Sequence, residues 1–228
     1  MGFEERAQGW LAWARAPGHD AYWTYRDAFF ALVPAPGAAT LEVGCGEGRV
    51  ARDLVARGHR VTGLDASPTL VSAAAQADPA SRYVVGPAEA LPFDDGAFDL
   101  VVAYNSLMDA DDMPVAVREA ARVLAPGGRL CACITHPVQT ASTWDHADES
   151  APLVVSEAYL DRRWMDEAVE RAGLEFTFDG WCYPLEAYTR ALEEAGLLIE
   201  AIREPADPAG GRWARLPMFL MWRALKAR

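Results

Sequence analysis

Leu41-Glu42-Val43-Gly44-Cys45-Gly46-Glu47-Gly48-Arg49-Val50 is the stretch whose reading decides the fold of this chain. A short apolar strand runs into a glycine-rich turn, and the turn opens a helix. Val61-Thr62-Gly63-Leu64-Asp65-Ala66-Ser67 follows as a second apolar strand that ends on an acid. An α/β protein holds the ribose and tail of a nucleoside cofactor in this way. Gly44 and Gly46 lack a Cβ, so the backbone there turns tightly and lets a ligand approach closely. The helix behind them presents free N–H groups and the positive end of its dipole.

Outward from this unit the pattern alternates strand and helix over 38–135. Strands are expected at about 39–43, 60–64, 82–85, 98–103 and 129–135. A helix at about 48–57 buries Val50, Leu54 and Val55 and stops at Gly58. The next helix starts with Ser67 as N-cap and Pro68 in its first turn. Another follows Asp111-Asp112 and carries Val117, Ala121 and Leu124, and Pro126-Gly127-Gly128 turns its end into the fifth strand. Near-continuous apolar strands alternating with helices imply a parallel sheet covered on both faces.

Before this core, residues 1–37 form an expected helical cap rich in aromatics, with Trp10, Trp13 and Ala14 at helical spacing. After it, residues 137–182 break the rhythm and read as a lid insertion with weak helical character around 157–171. Residues 183–228 then give a helix opened by Pro184 and closed by Gly196, a strand at 197–202 and a strand at 216–224. The segment joining these last strands is too short for a helical crossover, so they should run antiparallel. The expectation is one domain of 228 residues. Its fold is α/β and Rossmann-like: a seven-stranded, mostly parallel sheet with an antiparallel last strand, helices on both faces, and a helical, aromatic lid.

Composition narrows the function classes. With 21 Lys plus Arg against 33 Asp plus Glu, the net charge is −12. That field repels phosphate backbones and argues against nucleic acid as a general partner. No apolar run approaches the roughly 20 residues of a membrane-spanning helix, so no membrane partner is expected. The start of the chain has no secretory character, and the N-terminal Met-Gly lacks the Ser or Thr that myristoylation needs. Cys131 and Cys133 sit at i and i+2 of a strand, too poorly placed for a disulfide, which suits a reducing cytoplasmic location. The pattern Cys131-x-Cys133-x-x-His136 does not converge on one metal ion from a strand, so no metal is expected. Oligomeric state is left open.

The glycine spacing discriminates between cofactors. The NAD fingerprint is G-x-G-x-x-G, whereas this chain has Gly44-x-Gly46-x-Gly48 preceded by Glu42. Asp65 either accepts both ribose hydroxyls or caps the following helix. Glu42 either anchors an ammonium group of the ligand or orders the glycine loop.

On these residues the chain resembles the class I S-adenosylmethionine (SAM) dependent methyltransferases of the small-molecule "type 11" kind. Leu41–Val50 is similar to the family's first motif and Val61–Ser67 to its second. Gly86-Pro87-Ala88-Glu89-Ala90-Leu91-Pro92-Phe93, running on to Asp99, resembles the segment that meets the adenine. Arg118–Leu130 resembles the segment leading into the fifth strand, and Leu185–Leu197 resembles the C-terminal part of such enzymes. The resemblance implies SAM as cofactor, S-adenosylhomocysteine (SAH) as product and a small-molecule methyl acceptor. It places cofactor contacts at Glu42, Gly44, Cys45, Gly46, Asp65, Ala66, Ala88, Glu89 and Asn105. One departure stands out: Pro87 occupies a position where the family often has an Asp for the adenine amine. The Ala88 backbone N–H and the Glu89 side chain are the substitutes available.

Methyl transfer from a sulfonium is an in-line displacement in which positioning supplies much of the catalysis. A base is needed only for an acceptor that keeps its proton at neutral pH. The acceptor should bind outside the carboxyl ends of the fourth and fifth strands, at Tyr104-Asn105-Ser106 and Thr135-His136-Pro137. His136 is the candidate base, with a structural histidine under the lid as its alternative. Tyr104 either lines the methyl path or caps its strand. Tyr22 and Tyr25 either close over the amino-acid end of the cofactor or pack in the core. Asp109, Asp111 and Asp112 read as helix-starting acids rather than catalysts, and His146 and Asp148 lie in the excursion. Two further readings compete: a non-catalytic SAM-binding regulatory or assembly protein, and an NAD-dependent oxidoreductase, which the glycine spacing disfavours.

Overall fold

The computed structural model describes residues 3–145, 148, 150–155 and 158–227. The chain opens with a 3-10 turn and two helices, α1 (Ala7–Arg15) and α2 (Ala21–Phe30). Then β1 (Thr40–Val43), α3 (Arg49–Ala56), β2 (Val61–Asp65), α4 (Pro68–Ala77) and β3 (Arg82–Val85) form one half of the sheet. The other half is β4 (Phe98–Tyr104), α5 (Met113–Val123) and β5 (Leu124–Thr135). A single helical turn α6 (Pro137–Thr140) leads to the small strands β6 (Ser142–Thr143) and β7 (Val154–Val155), and then to β8 (Arg163–Arg171) and β9 (Leu174–Cys182). The chain finishes with α7 (Leu185–Glu194), β10 (Leu197–Arg203) and β11 (Phe219–Lys226).

Among the described residues the main sheet has seven strands in the order β10-β11-β5-β4-β1-β2-β3. β11 runs antiparallel to both neighbours, and the remaining neighbouring pairs are parallel. The expected α/β sheet with its antiparallel last strand is therefore present. The order reverses beside β1, which places the glycine turn at the crevice where such folds bind ligands.

Strand alternation divides the core in two. Val101, Ala103, Leu130, Ala132 and Ile134 face α5 and α7, joined by Val117, Tyr188 and Leu192. Leu100, Val102, Tyr104, Cys131 and Cys133 face the other way, against Tyr22, Tyr25 and Phe29 of α2 and Leu54 of α3. The aromatic cap is thus one wall of the core. Phe29 is fully buried, and burying a side chain of this size contributes roughly 1.5–3 kcal/mol.

The helix starts follow the sequence closely. The Ser67 side chain accepts the Leu70 N–H at 3.2 Å, and Asp112 accepts the Val115 N–H at 3.2 Å. The lid departs from expectation. Residues 163–171 form a strand paired antiparallel with β9, not a helix. Arg-Trp-Met-Asp-Glu-Ala-Val-Glu-Arg is rich in helix formers, but its burial alternates with period two. Ala172 and Gly173 both adopt positive φ, 51° and 78°, the geometry of a tight hairpin turn. Propensity lost here to cross-strand pairing and to the packing of β9 on α1. The lid remains aromatic: Phe176 and Phe178 pack against Trp10 and Trp13 of the cap.

Among the described residues no helix is long and apolar enough to cross a membrane. All four cysteines are free and buried, and burial pushes the Cys131 thiol up to about 12.

Candidate functional site

A cavity of about 580 Å³ lies over the carboxyl ends of β1, β2, β4 and β5 and under the β8–β9 hairpin. Its floor is the glycine turn. Gly44 adopts φ 70°, and a Cβ there would fall 2.2 Å from the Cβ of Ser106. Gly46 faces Trp10, whose Nε1 would be 3.2 Å from an added Cβ. Asp65 closes the turn from β2: one oxygen accepts the Gly46 N–H at 2.7 Å and the other the Ser67 N–H at 2.9 Å. Each carboxylate oxygen keeps a further lone pair for a ligand hydroxyl. Asp65 thus orders the glycine turn and the start of α4 while lining the cavity.

Glu42 is buried at the end of β1, and its Oε2 has no hydrogen-bond partner among the described residues. Burial, followed by the nearby Asp65 and Glu47, holds its carboxyl well above the usual range. Asn105, at the end of β4, has φ 50° and a buried Oδ1 that is likewise unpartnered. These two orphaned acceptors, with a third on the same lining at Gln139 Oε1 of α6, are a strong signal, because leaving a buried polar group unpaired costs about 1–3 kcal/mol. A ligand carrying N–H donors would satisfy both.

Cys45, Ala66, Ala88 and Glu89 also line the cavity. Glu89 accepts the Asp112 N–H at 3.1 Å, which fixes its side chain at the rim. Tyr104 lines the cavity edge-on to Tyr22 and Phe29. Burial holds its phenol well above the ordinary value, so it is a neutral wall rather than a base.

Two of the expected site residues stand elsewhere. Tyr25 is not among the cavity-lining residues; it packs edge-on against Phe219 at 5.1 Å, within the core. His136 does not line the cavity either. Its Nδ1 accepts the Val138 N–H at 3.1 Å as the N-cap of α6, and its Nε2 lies 2.9 Å from a Glu204 carboxylate oxygen. With Nδ1 accepting, the ring proton belongs on Nε2, and no lone pair is left for an acceptor's proton. His136 is thus a capping residue in this geometry. His136→Ala should cost about 1 kcal/mol in urea unfolding, the usual value of an N-cap. His136→Asn, which also accepts at an N-cap, should recover most of that loss. His146 lies outside the described residues. Asp148 accepts from Ser150 on the surface, away from the cavity lining.

Other residues carry the site without a sequence motif to announce them. Glu47, between the glycines, is buried and accepts two bonds from Arg52 and one from Arg15 of α1. Arg49 lies over the rings of Trp10 and Tyr22 and pairs with Asp20 at 2.5 Å. Glu4 takes the hydroxyls of Ser67 and Thr69, drawing the N-terminal turn across the β2–α4 connection. Apart from the local Glu47–Arg52 pair, these partners lie 27 to 65 positions apart in the chain, and only the fold brings them together. Asp109, read from sequence as a helix-starting acid, instead turns its carboxyl into the cavity.

Residues 41–132 match the protein family described as a methyltransferase domain. Over this span the chain is similar to methyltransferases. A malonyl-[acyl-carrier protein] O-methyltransferase of Erwinia pyrifoliae is 34% identical over 123 residues, covering 53% of this chain and 47% of that protein. A 2-methyl-6-phytyl-1,4-hydroquinone methyltransferase of Synechocystis is 30% identical over 172 residues, covering 72% of this chain and 47% of that protein. The chain thus spans about half the length of these curated relatives. A SAM-dependent methyltransferase structure from Mesorhizobium loti superposes with a TM-score of 0.71 at 22% identity, over 89% of this chain and 97% of that one. That likeness is one of fold. The match to the methyltransferase domain begins in β1 and ends in β5, the span that carries the glycine turn, Asp65 and Asn105.

The cavity also passes a chemical test for SAM. SAM carries a sulfonium and an ammonium, and nine carboxylate side chains but two guanidinium groups line the cavity. The unpartnered oxygens of Glu42 and Asn105 are acceptors, as an ammonium requires.

Proposed function

We propose that this protein transfers a methyl group from SAM to a small-molecule acceptor. The observation that carries the reading is the coincidence of the methyltransferase-domain match with one cavity. In it, Asp65, Glu42 and Asn105 present acceptor oxygens above a turn that admits no Cβ at Gly44. Asp65 is assigned to the ribose hydroxyls, Glu42 and Asn105 to the amino-acid end, and Ala88 with Glu89 to the adenine edge. When bound, SAM supplies a methyl group already activated by positive sulfur. The chain's own residues then have three tasks: to hold the donor rigidly, to hold the acceptor in line, and to exclude water. The hairpin serves the last task, since Phe176 and Phe178 close the cavity against the cap.

The discriminating experiment is titration calorimetry with SAM, SAH and NAD. SAM and SAH should bind and raise the melting temperature, and NAD should do neither. Absence of binding by both sulfur nucleosides would end this proposal. Asp65→Ala should weaken SAM at least tenfold, about 1.4 kcal/mol. An unchanged dissociation constant would remove Asp65 from the ribose site.

A further inference from the structure

The acceptor half of the cavity has a chemistry of its own. Asp109 sits in the connection between β4 and α5, four residues past Asn105, on the side where the acceptor must approach. Its backbone is pinned by the Asp109 N–H donating to the Ser106 carbonyl at 3.1 Å. The hairpin lies directly over it: the Trp181 N–H donates to the Met108 carbonyl at 2.9 Å, and a Cβ on Gly180 would be 3.2 Å from Asp109 Oδ1. The Asp109 carboxyl has no hydrogen-bond partner among the described residues, and its open surface faces the cavity.

Six of the other acids around the cavity are accounted for. Asp20 pairs with Arg49, Glu47 with Arg15 and Arg52, and Asp179 with Arg6. Glu42 and Asp65 belong to the donor site, and Glu89 accepts from the Asp112 backbone. SAM brings a single net positive charge. With the donor in place, Asp109 still has no ion-pair partner among the described residues, Arg6 acting on it only through space, and Glu167 of β8 lines the same cavity. The lining also carries the apolar and aromatic side chains of Met108, Met165, Phe178 and Trp181, beside the polar Gln139 and Thr140 of α6 and Arg171 at the end of β8. Aromatic faces attract cations, whereas they give nothing to an anion.

We propose that the acceptor is a primary or secondary amine on an apolar body, its ammonium held by the Asp109 carboxylate. This rests on the methyltransferase reading above. The amine enters as an ammonium ion and gives one proton to Asp109. Its freed lone pair forms the new nitrogen–carbon bond as the donor's methyl–sulfur bond breaks, with that bond's electron pair staying on sulfur. The methylated ammonium and SAH leave, and Asp109 returns its proton to water, so each turnover releases one proton. Burial, then the nearby Asp179 and Asp65, raises the affinity of the Asp109 carboxyl for a proton against the opposing pull of Arg6, as a base at this position requires.

The test is calorimetric titration of SAH-loaded protein with 2-phenylethylamine and tryptamine. 2-Phenylethanol and 3-phenylpropionate serve as neutral and anionic counterparts. The amines should bind at least tenfold more tightly than the alcohol, with no binding of the carboxylate. SAH release from SAM should follow with the amines. Asp109→Asn should remove the amine preference while leaving the SAH dissociation constant within twofold. Should that variant fail to fold, the preference of the unaltered protein decides the matter alone. Equal binding of amine and alcohol, preference for the carboxylate, or an undiminished amine preference in Asp109→Asn would each overturn the assignment. A protein that does not bind SAH at all would overturn the methyltransferase reading instead.

Discussion

Gly44→Ala is expected to lower unfolding free energy by about 3–5 kcal/mol and to weaken SAM binding at least a hundredfold. Two costs add. At φ 70° any Cβ is strained, which costs about 1–2 kcal/mol. The new methyl would also meet the Ser106 Cβ at 2.2 Å, far inside contact distance. Ser106 has no easy retreat, because its hydroxyl donates to the Val43 carbonyl at 2.7 Å. Overpacking of this kind costs a further 1–3 kcal/mol or so. The turn itself must shift, and with it the floor on which the donor rests. Gly127→Ala separates the two contributions. Gly127 has φ 82° with nothing within 4 Å of an added Cβ. It should lose only the conformational part, about 1–2 kcal/mol, with SAM affinity unchanged. Urea unfolding and calorimetry on both variants check this. Equal losses at both positions would refute the contact with Ser106.

The second large effect is expected at Arg52. The Glu47 side chain is 1% exposed, and Arg52 grips both of its oxygens at 2.8 and 2.9 Å while donating to its backbone carbonyl at 2.7 Å. Arg15 adds one bond at 3.1 Å but is half in solvent. Arg52→Ala strands a buried carboxylate on a single partner. Breaking a fully buried pair costs about 3–5 kcal/mol, and the partial exposure of both arginines lowers the expectation to about 2–3 kcal/mol. Glu47→Gln should cost less, about 1 kcal/mol, because the arginines it leaves behind can hydrate. The order of the two losses is the test. A larger loss for Glu47→Gln would mean that the arginines, not the glutamate, are the buried end. Because Glu47 sits between Gly46 and Gly48, Arg52→Ala should also weaken SAM binding.

The β1–α3–β2 unit was legible in the sequence because its constraints are local. Glycines at a turn, a strand ending on Asp65, and the Ser67-Pro68 and Asp112 helix starts each require particular residues within a few positions. The sheet follows from them, since apolar strands alternating with helices have few ways to bury both faces. The lid was misread because residues 163–171 are helix formers that pair instead with β9 across the Ala172-Gly173 turn, and it is β9 that packs on α1, a support only the fold supplies. His136 kept two readings in the sequence for a related reason: a histidine's role depends on what each ring nitrogen meets, and Glu204 lies far along the chain.

The sequence by itself determined the sheet, the glycine turn and the acids facing a nucleoside donor, because short-range stereochemistry and hydrophobic period govern these. Tertiary structure alone decided which acids are neutralised. Arg15, Arg49 and Arg6 reach Glu47, Asp20 and Asp179 only after folding, and Asp109 is left without an ion-pair partner among the described residues beneath the hairpin. A carboxylate's reactivity is set by its burial and its nearest charges, and neither is written in the residue itself.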